Sequence, residues 1–237
     1  MSDFESYKLN NENPDERKKE IRKMFDGIVP TYDFLNHFLS AGIDRGWRKF
    51  LIKKVAPLKG KMILDLCCGT GDLSRILSES EIHSLDFSIP MLQKGKAKGW
   101  LGENTFAGDA GNLPVKDSVM DVVTIAFGIR NIPDLDNFMV ECNRVLKNNG
   151  KLMVLELTRP RLKVVGLFYR FYLGFFLPFV GGIVSRKKNA YKYLAGTINT
   201  FPDPPILKER FIDNGFSTVE IFPLTFGIAS LIICSKS

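Results

Sequence analysis

The chain has 237 residues, 45% of them apolar and 25% charged, a balance that supplies a full core and excludes a disordered or fibrous protein. Lysine and arginine number 33 against 26 acids, a formal charge of +7, which admits a nucleic acid, a membrane surface or an anionic ligand as partner. Eight cations and no acid fall between Leu157 and Pro202, leaving 25 cations against 26 acids elsewhere, so the excess belongs to one segment.

In chain order, Asn13-Pro14-Asp15-Glu16 combines a capping residue, proline at the first helical position and glutamate three residues after the cap, so a helix should begin there. Ile21, Met24, Phe25 and Ile28 continue it at helical spacing, and Pro30 stops it. Helical stretches follow at about Tyr32–Leu39 and Arg45–Val55, completing an N-terminal helical cap over residues 1–57. From Met62 the texture changes to short apolar runs separated by helical stretches, the pattern of a parallel sheet. The runs are Met62–Cys67, Ile82–Leu85, Thr105–Ala107, Val122–Phe127, Leu152–Leu157, Val219–Phe222 and Ala229–Cys234, with helices at Asp72–Ser78, Ile89–Lys98, Asp134–Leu146 and Pro204–Asn214. The last two strands are joined by too few residues for a crossover helix and should pair antiparallel at one end of the sheet. The expectation is an α/β, Rossmann-like domain over residues 58–237: seven mostly parallel strands, an antiparallel last strand, and an insert at about 158–202.

The two histidines are unrelated in position and the four cysteines show no C-x-x-C spacing, so no metal site is expected. The polar, acid-rich start lacks the apolar stretch of a secretory signal, which makes reduced thiols and a cytoplasmic location the expectation. Cys67 and Cys68 read as small apolar residues beneath a tight turn.

The segment Asp65-Leu66-Cys67-Cys68-Gly69-Thr70-Gly71 carries a strand into a glycine turn and then a helix, where the backbone can lie against a ligand. Ser74 stands where a dinucleotide fingerprint has its third glycine, and the Asp65 carboxylate suits a cationic ligand better than a pyrophosphate. Asp86 ends the next strand, placed to take two ribose hydroxyls, and Gly108-Asp109-Ala110 follows the third, placed to accept an adenine amine. Each acid alone reads equally well as a helix cap or turn residue. Three at successive carboxyl ends of parallel strands mark the ligand-binding edge of such a sheet.

Together, Asp65-x-x-x-Gly69-x-Gly71, Asp86 and Asp109 resemble the binding elements of class I S-adenosylmethionine methyltransferases. Tyr32-Asp33-Phe34-Leu35-Asn36 with Ser40 and Trp47, Phe127-Gly128-Ile129-Arg130-Asn131, Arg144-Val145-Leu146-Lys147 with Gly150 and Leu155-Glu156, and Tyr191-x-Tyr193-Leu194 with Phe201-Pro202 bring the likeness closer. From about Met24 to the C-terminus, the chain is similar to the ubiquinone/menaquinone biosynthesis C-methyltransferases. The resemblance implies S-adenosylmethionine as cofactor and a polyprenyl quinol as substrate, most closely demethylmenaquinol. Contact with a membrane surface is expected from the basic, aromatic insert, and a homodimer or an assembly with other quinone-biosynthesis enzymes is a further expectation. Asp65, Gly69, Thr70, Gly71, Asp86, Asp109, Ala110 and Ala126 would hold the cofactor. Leu35, Asp44, Ala126 and Asn148-Asn149 stand where that family commonly has methionine, histidine, serine and Pro-Gly.

The 158–202 insert packs Phe168, Tyr169, Phe171, Tyr172, Phe175, Phe176 and Phe179 into twelve residues, seven of the 27 aromatics. Its uncharged run from Phe171 to Ser185 is fifteen residues, short of the ~20 that cross a bilayer. It reads as a structural lid, as a hydrophobic mouth for a lipid-tailed substrate, or as both. Aromatics and cations do not alternate as single-strand readers have them, so no nucleic-acid partner is expected.

Methyl transfer to a ring carbon proceeds once a neighbouring phenol loses its proton. Arg130 is read as holding the developing phenolate or a water, Asn131 and Tyr32 as orienting the ring oxygens, and Asp44 as a substrate-side group. A nicotinamide oxidoreductase would want the third glycine. A methyltransferase of RNA or another small molecule would share the cofactor core, and a non-catalytic membrane-surface protein would have dispensed with Arg130 and the glycine turn.

Overall fold

A computed structural model describes residues 14–33, 37, 40–160, 162–172, 174 and 188–237. Helix α1 (Pro14–Ile28) begins at its proline and α2 (Ile43–Val55) at Ile43; much of the helical stretch expected at Tyr32–Leu39 lies outside the described residues. There follow β1 (Met62–Leu66), β2 (Glu81–Asp86), α3 (Ile89–Ala97), β3 (Thr105–Ala107), β4 (Met120–Ala126), α4 (Leu135–Val145) and β5 (Leu146–Leu157). Helices α5 (Lys163–Phe171), α6 (Lys188–Thr200) and α7 (Pro204–Asp213) lead to β6 (Thr218–Leu224) and β7 (Ala229–Ser235).

The strands form one sheet in the order β3-β2-β1-β4-β5-β7-β6, parallel except where β7 runs antiparallel to β5 and β6. All seven expected strands are present, and burial on both faces explains their continuous apolar texture. Leu64, Val123, Ile125, Leu152, Val154 and Ile232 meet Phe138 of α4 and Phe211 of α7 on one face. Ile63, Val122, Met153, Leu155, Leu231 and Ile233 meet Trp47, Leu51 and Val55 of α2 on the other. Alternate residues along each strand thus feed two separate cores.

One expected helix is absent. Between Asp72 and Ser78 there is only a 3₁₀ turn, Ser74–Leu77. The Ser74 hydroxyl donates to Asp65 Oδ2 at 2.6 Å, and the Ser80 hydroxyl to the Leu77 carbonyl at 2.6 Å. These side-chain bonds compete with a helical ladder, so the glycine turn leads into no helix dipole. The direction of β1 and β4 matters more: their neighbours lie on opposite sides, β2 and β3 beyond β1, β5 onward beyond β4. The β1/β4 junction is therefore the switch point, where parallel sheets open a crevice at their carboxyl ends.

Candidate active site at the strand ends

Two non-glycine residues in the left-handed region mark that crevice, Cys67 (φ 51°) after β1 and Phe127 (φ 60°) after β4. Such backbone concentrates at functional sites. They stand close: a Cβ added to Gly128 would be 2.5 Å from the Cys67 Cβ, so only glycine fits there. Gly71 is constrained twice, by φ 91° and by a Leu101 side-chain atom 2.8 Å from where a Cβ would stand.

A cavity of about 410 Å³ opens here, walled by Cys67, Phe87, Ile89, Asp109, Ala110, Gly128 and Asn131 from the sheet side and by Lys18, Ile21 and Arg22 of α1. Its size falls in the range of small-molecule sites, roughly 300–1,000 Å³. Mostly apolar walls with an acid at one end suit a flat heterocycle with an exocyclic amine.

The expected cofactor acids occupy different environments. Asp86 is 5% exposed; its Oδ2 accepts from Gly69 N–H and its Oδ1 from Ser88 N–H, both at 2.8 Å. A carboxylate offers about four lone-pair sites, so two backbone donors aim it while leaving acceptor capacity. Burial, aided by the charge of Asp26 on α1, pushes its pKa up to about 6 against those two bonds. Asp109 lies at the cavity, bonded to Gly111 N–H at 2.9 Å and ion-paired with Lys18 at 2.7 Å. Burial would raise its pKa, but Lys18 and the Gly111 bond hold it below the ordinary value.

Asp65 does not reach the cavity wall. It is 1% exposed beneath the turn, accepting from the Ser74 and Thr124 hydroxyls at 2.6 and 2.9 Å, and burial pushes its pKa up to about 6. Gly69 is covered by the Tyr32 ring, 3.7 Å from where a Cβ would stand, and Tyr32 meets Phe25 edge-on. The Thr70 hydroxyl donates to Asp33, which Lys94 and Lys98 also grip. Ala126 packs into the α2-side core. Burial drives the Cys67 and Cys68 thiols well above their ordinary range, so neither is a thiolate.

Arg130 and Asn131 form a short 3₁₀ turn after β4, and Asn131 lines the cavity. Arg130 is not solvated: its side chain is 9% exposed and is ion-paired through Nη1 with Glu156 Oε1, 1% exposed. The same carboxylate accepts from Leu157 N–H at 2.7 Å and Arg130 N–H at 3.4 Å. Burial raises the Glu156 pKa against the opposing charge of Arg130. Arg130 Nε is buried and has no hydrogen-bond partner among the described residues, and a buried donor left unpaired is costly. Tyr193 on α6 donates to Asn131 Oδ1 at 3.0 Å, and burial pushes its phenol up to about 12.

Asp44 is not among the residues that wall the cavity. Its carboxylate takes the Ser40 hydroxyl at 2.6 Å, His37 Nδ1 at 2.8 Å and Arg48 Nη1, while His37 Nε2 is 3.4 Å from Asp72. Burial would raise the Asp44 pKa, yet Ser40, Arg48 and His37 together hold it below the ordinary value. With its oxygens so engaged, Asp44 anchors His37 and Arg48.

The contacts of Glu156, Tyr193, Lys18 and the His37–Asp72 pair were not read from the sequence. An acid inside the apolar run Leu152–Leu157 was a legible sign, since a buried carboxylate demands a partner; nothing local named Arg130 as that partner.

Solved structures with this fold include an S-adenosylmethionine-dependent methyltransferase from Thermotoga maritima described as a possible histamine N-methyltransferase, with TM-score 0.66 and 18% identity over 91% of this chain and 99% of that one. A putative S-adenosylmethionine-dependent methyltransferase from Methanococcus maripaludis gives 0.64 and 21% over 90% and 94%. Among curated proteins, the demethylmenaquinone methyltransferase of Thermotoga maritima is 40% identical over 91% of this chain and 96% of its own length. That of Thermus thermophilus is 42% identical over 88% and 97%. The ubiquinone/menaquinone biosynthesis C-methyltransferase UbiE of Geotalea daltonii is 39% identical over 91% and 96%. Residues 12–236 match the ubiE/COQ5 methyltransferase family. With that match spanning almost every residue, the chain belongs to the ubiE/COQ5 methyltransferase family, enzymes whose methyl donor is S-adenosylmethionine.

Proposed function

We propose that this enzyme methylates a ring carbon of a polyprenyl quinol, converting demethylmenaquinol to menaquinol. The observation that carries this reading is the pairing of Arg130 with buried Glu156 beside cavity-lining Asn131, in a chain 37–42% identical to curated demethylmenaquinone methyltransferases. When bound, S-adenosylmethionine supplies an electrophilic methyl on cationic sulfur. Asp86, held by Gly69 and Ser88, would take the ribose hydroxyls; Asp109 and Ala110 would face the adenine; and the turn Gly69-Thr70-Gly71 would run along the methionine portion. Asp65 acts from beneath, by fixing the turn through Ser74, and Ala126 by filling the wall behind it. Glu156 aims Arg130, whose unpaired Nε–H suits the oxygen of a forming phenolate. Asn131, fixed by Tyr193, orients a second ring oxygen, and Tyr32 closes the glycine turn from above. Asp44 serves by setting His37.

Residues 1–57 act as a cap, a reading supported by Lys18 of α1 reaching Asp109. Among the described residues no helix is long and apolar enough to cross a membrane. The insert at 158–202 would meet the cytoplasmic face of the membrane, where a long-tailed quinol resides, and the assembly could be a homodimer or a complex with other quinone-biosynthesis enzymes. Phe175, Phe176, Phe179, Arg186 and Lys187 of that insert lie outside the described residues.

The test is incubation with methyl-labelled S-adenosylmethionine and separate extracts of demethylated naphthoquinols and benzoquinols. Label in the naphthoquinol is the expected result; label in neither quinol refutes the substrate class.

A further inference from the structure

Arg17 stands at the head of the inward face of α1. Ile21, Met24 and Ile28 follow it at intervals of four, three and four residues, the spacing of one helical face. Ile21 is buried, and Met24 and Ile28 pack against Tyr169 of α5 and Ala195 and Ile198 of α6. An arginine in such a row is out of place unless its charge is used, because a buried donor without a partner is costly. The cations beside it on the helix are matched: Lys18 pairs with Asp109 at 2.7 Å and Arg22 with Asp26 at 4.0 Å. No acid pairs with Arg17 among the described residues, and its Nε is buried with no hydrogen-bond partner there.

Tyr193 shows where Arg17 points. This phenol, 4% exposed on α6, feels the positive charge of both Arg130 and Arg17, and it donates to Oδ1 of Asn131, which lines the cavity. Two guanidiniums from different elements, the N-terminal helix and the turn after β4, thus approach one corner of the site. Each brings a buried Nε–H with no acceptor among the described residues. The carboxylate paired there is Glu156, already committed to Arg130 and to two backbone N–H groups. Two cations against one acid leave a positive charge in a region of low dielectric, where it is felt strongly. The group that would satisfy both free donors is an oxygen anion, the natural partner of a guanidinium. Arg48, the third arginine with a buried, unpaired Nε, differs: its Nη1 pairs with Asp44 and its Nη2 lies 3.9 Å from Asp72, so its charge is already offset.

We propose that Arg17 is a substrate-binding residue supplied by the N-terminal helix, which together with Arg130 holds the ionised form of the quinol ring through its oxygens. The proposal rests on the quinol reading for the identity of the ligand; the two unmatched donors stand without it. The probe is lawsone, a hydroxynaphthoquinone that is an anion at neutral pH, compared with its neutral methyl ether, which has nearly the same shape. Each is titrated calorimetrically into the full-length protein in the presence of S-adenosylhomocysteine. The wild type should prefer the anion by about tenfold or more, the worth of one hydrogen bond to a charged group. Arg17→Met should lose about tenfold in affinity for the anion and keep its affinity for the ether. Arg17→Lys, which retains the charge without the planar donor fork, should fall between the two. A wild type with no preference for the anion overturns the proposal. So does a methionine variant that keeps the full preference, or one that loses affinity for both probes alike, since Arg17 would then serve the fold only. If Arg17→Met does not fold, Arg17→Gln makes the same comparison. Failure of the substrate reading is seen separately, as an Arg17-dependent preference for the anion with label in neither quinol.

Discussion

Replacing Glu156 with glutamine tests the Arg130 site most directly. The change is isosteric and keeps an oxygen for Leu157 N–H, 2.7 Å away, but removes the charge opposite a guanidinium that is 9% exposed. Breaking a buried pair by neutralising one partner costs roughly 3–5 kcal/mol, because the other charge is left uncompensated. Among the described residues Arg130 Nε is already unpaired, so the Glu156 carboxylate is the acceptor that matters to the guanidinium. Against a total stability of about 5–15 kcal/mol for a domain, urea unfolding should shift by a large fraction, and turnover at saturating cofactor should fall about a hundredfold, the loss expected when one positioned donor is misaimed. The double variant Glu156→Gln/Arg130→Met separates the two effects. Removing the stranded charge should recover most of the stability and none of the turnover, a non-additive outcome that defines the pair's coupling. Glu156→Gln with wild-type stability, or a double variant less stable than the single, would refute the pairing argument.

Asp86→Asn should weaken S-adenosylmethionine binding tenfold or more in calorimetry, since charge-assisted bonds carry roughly 1.5–3 kcal/mol each. Because burial raises the Asp86 pKa to about 6 and the cofactor hydroxyls favour the ionised form, wild-type affinity should decline as pH drops below about 6, and the variant should lose that dependence; an identical pH profile for both rejects the role. With values raised to about 6, Asp65 and Asp86 bind protons more tightly in the folded than in the unfolded chain between about pH 4 and 6. The cofactor-free protein should therefore be more stable to urea near pH 5 than at pH 7. Gly128→Ala places a Cβ 2.5 Å from that of Cys67 and should cost about 1–3 kcal/mol as overpacking, read as a lowered Tm; an unchanged Tm would mean the two strand ends can part freely. Lys18→Ala breaks a pair whose partners are 41% and 42% exposed, so unfolding should shift by less than about 1 kcal/mol, a much smaller change than at Glu156.

Much of this protein is legible along its chain. The proline of α1, the seven apolar runs and the short link before the last strand depend on neighbours a few residues apart, and the structure has each of them. The glycine turn and the acids Asp86 and Asp109 were legible as a set because parallel sheets bring ligands to the carboxyl ends of their strands. The run Asp72–Ser78 reads as a helix by pattern, yet serine hydroxyls turn it into a single 3₁₀ turn through bonds to Asp65 and Ser84, partners that only the assembled sheet supplies.

What only the tertiary structure decided is which charge faces which. Arg130 reads from sequence as a group for the phenolate, and Glu156 only as part of a family-like segment; parallel pairing of β4 with β5 sets them together across 26 residues. Lys18 meets Asp109 across 91 residues, and Ser88 meets Asp26 across 62. Asp44 engages Ser40, His37 and Arg48 with its oxygens, partners that the fold brings round a single carboxylate. Local pattern reports the side of an element that must be buried, because burial of apolar area is non-directional and periodic. A buried charge is governed by distance and orientation to one particular partner, and those are properties of the packed chain alone.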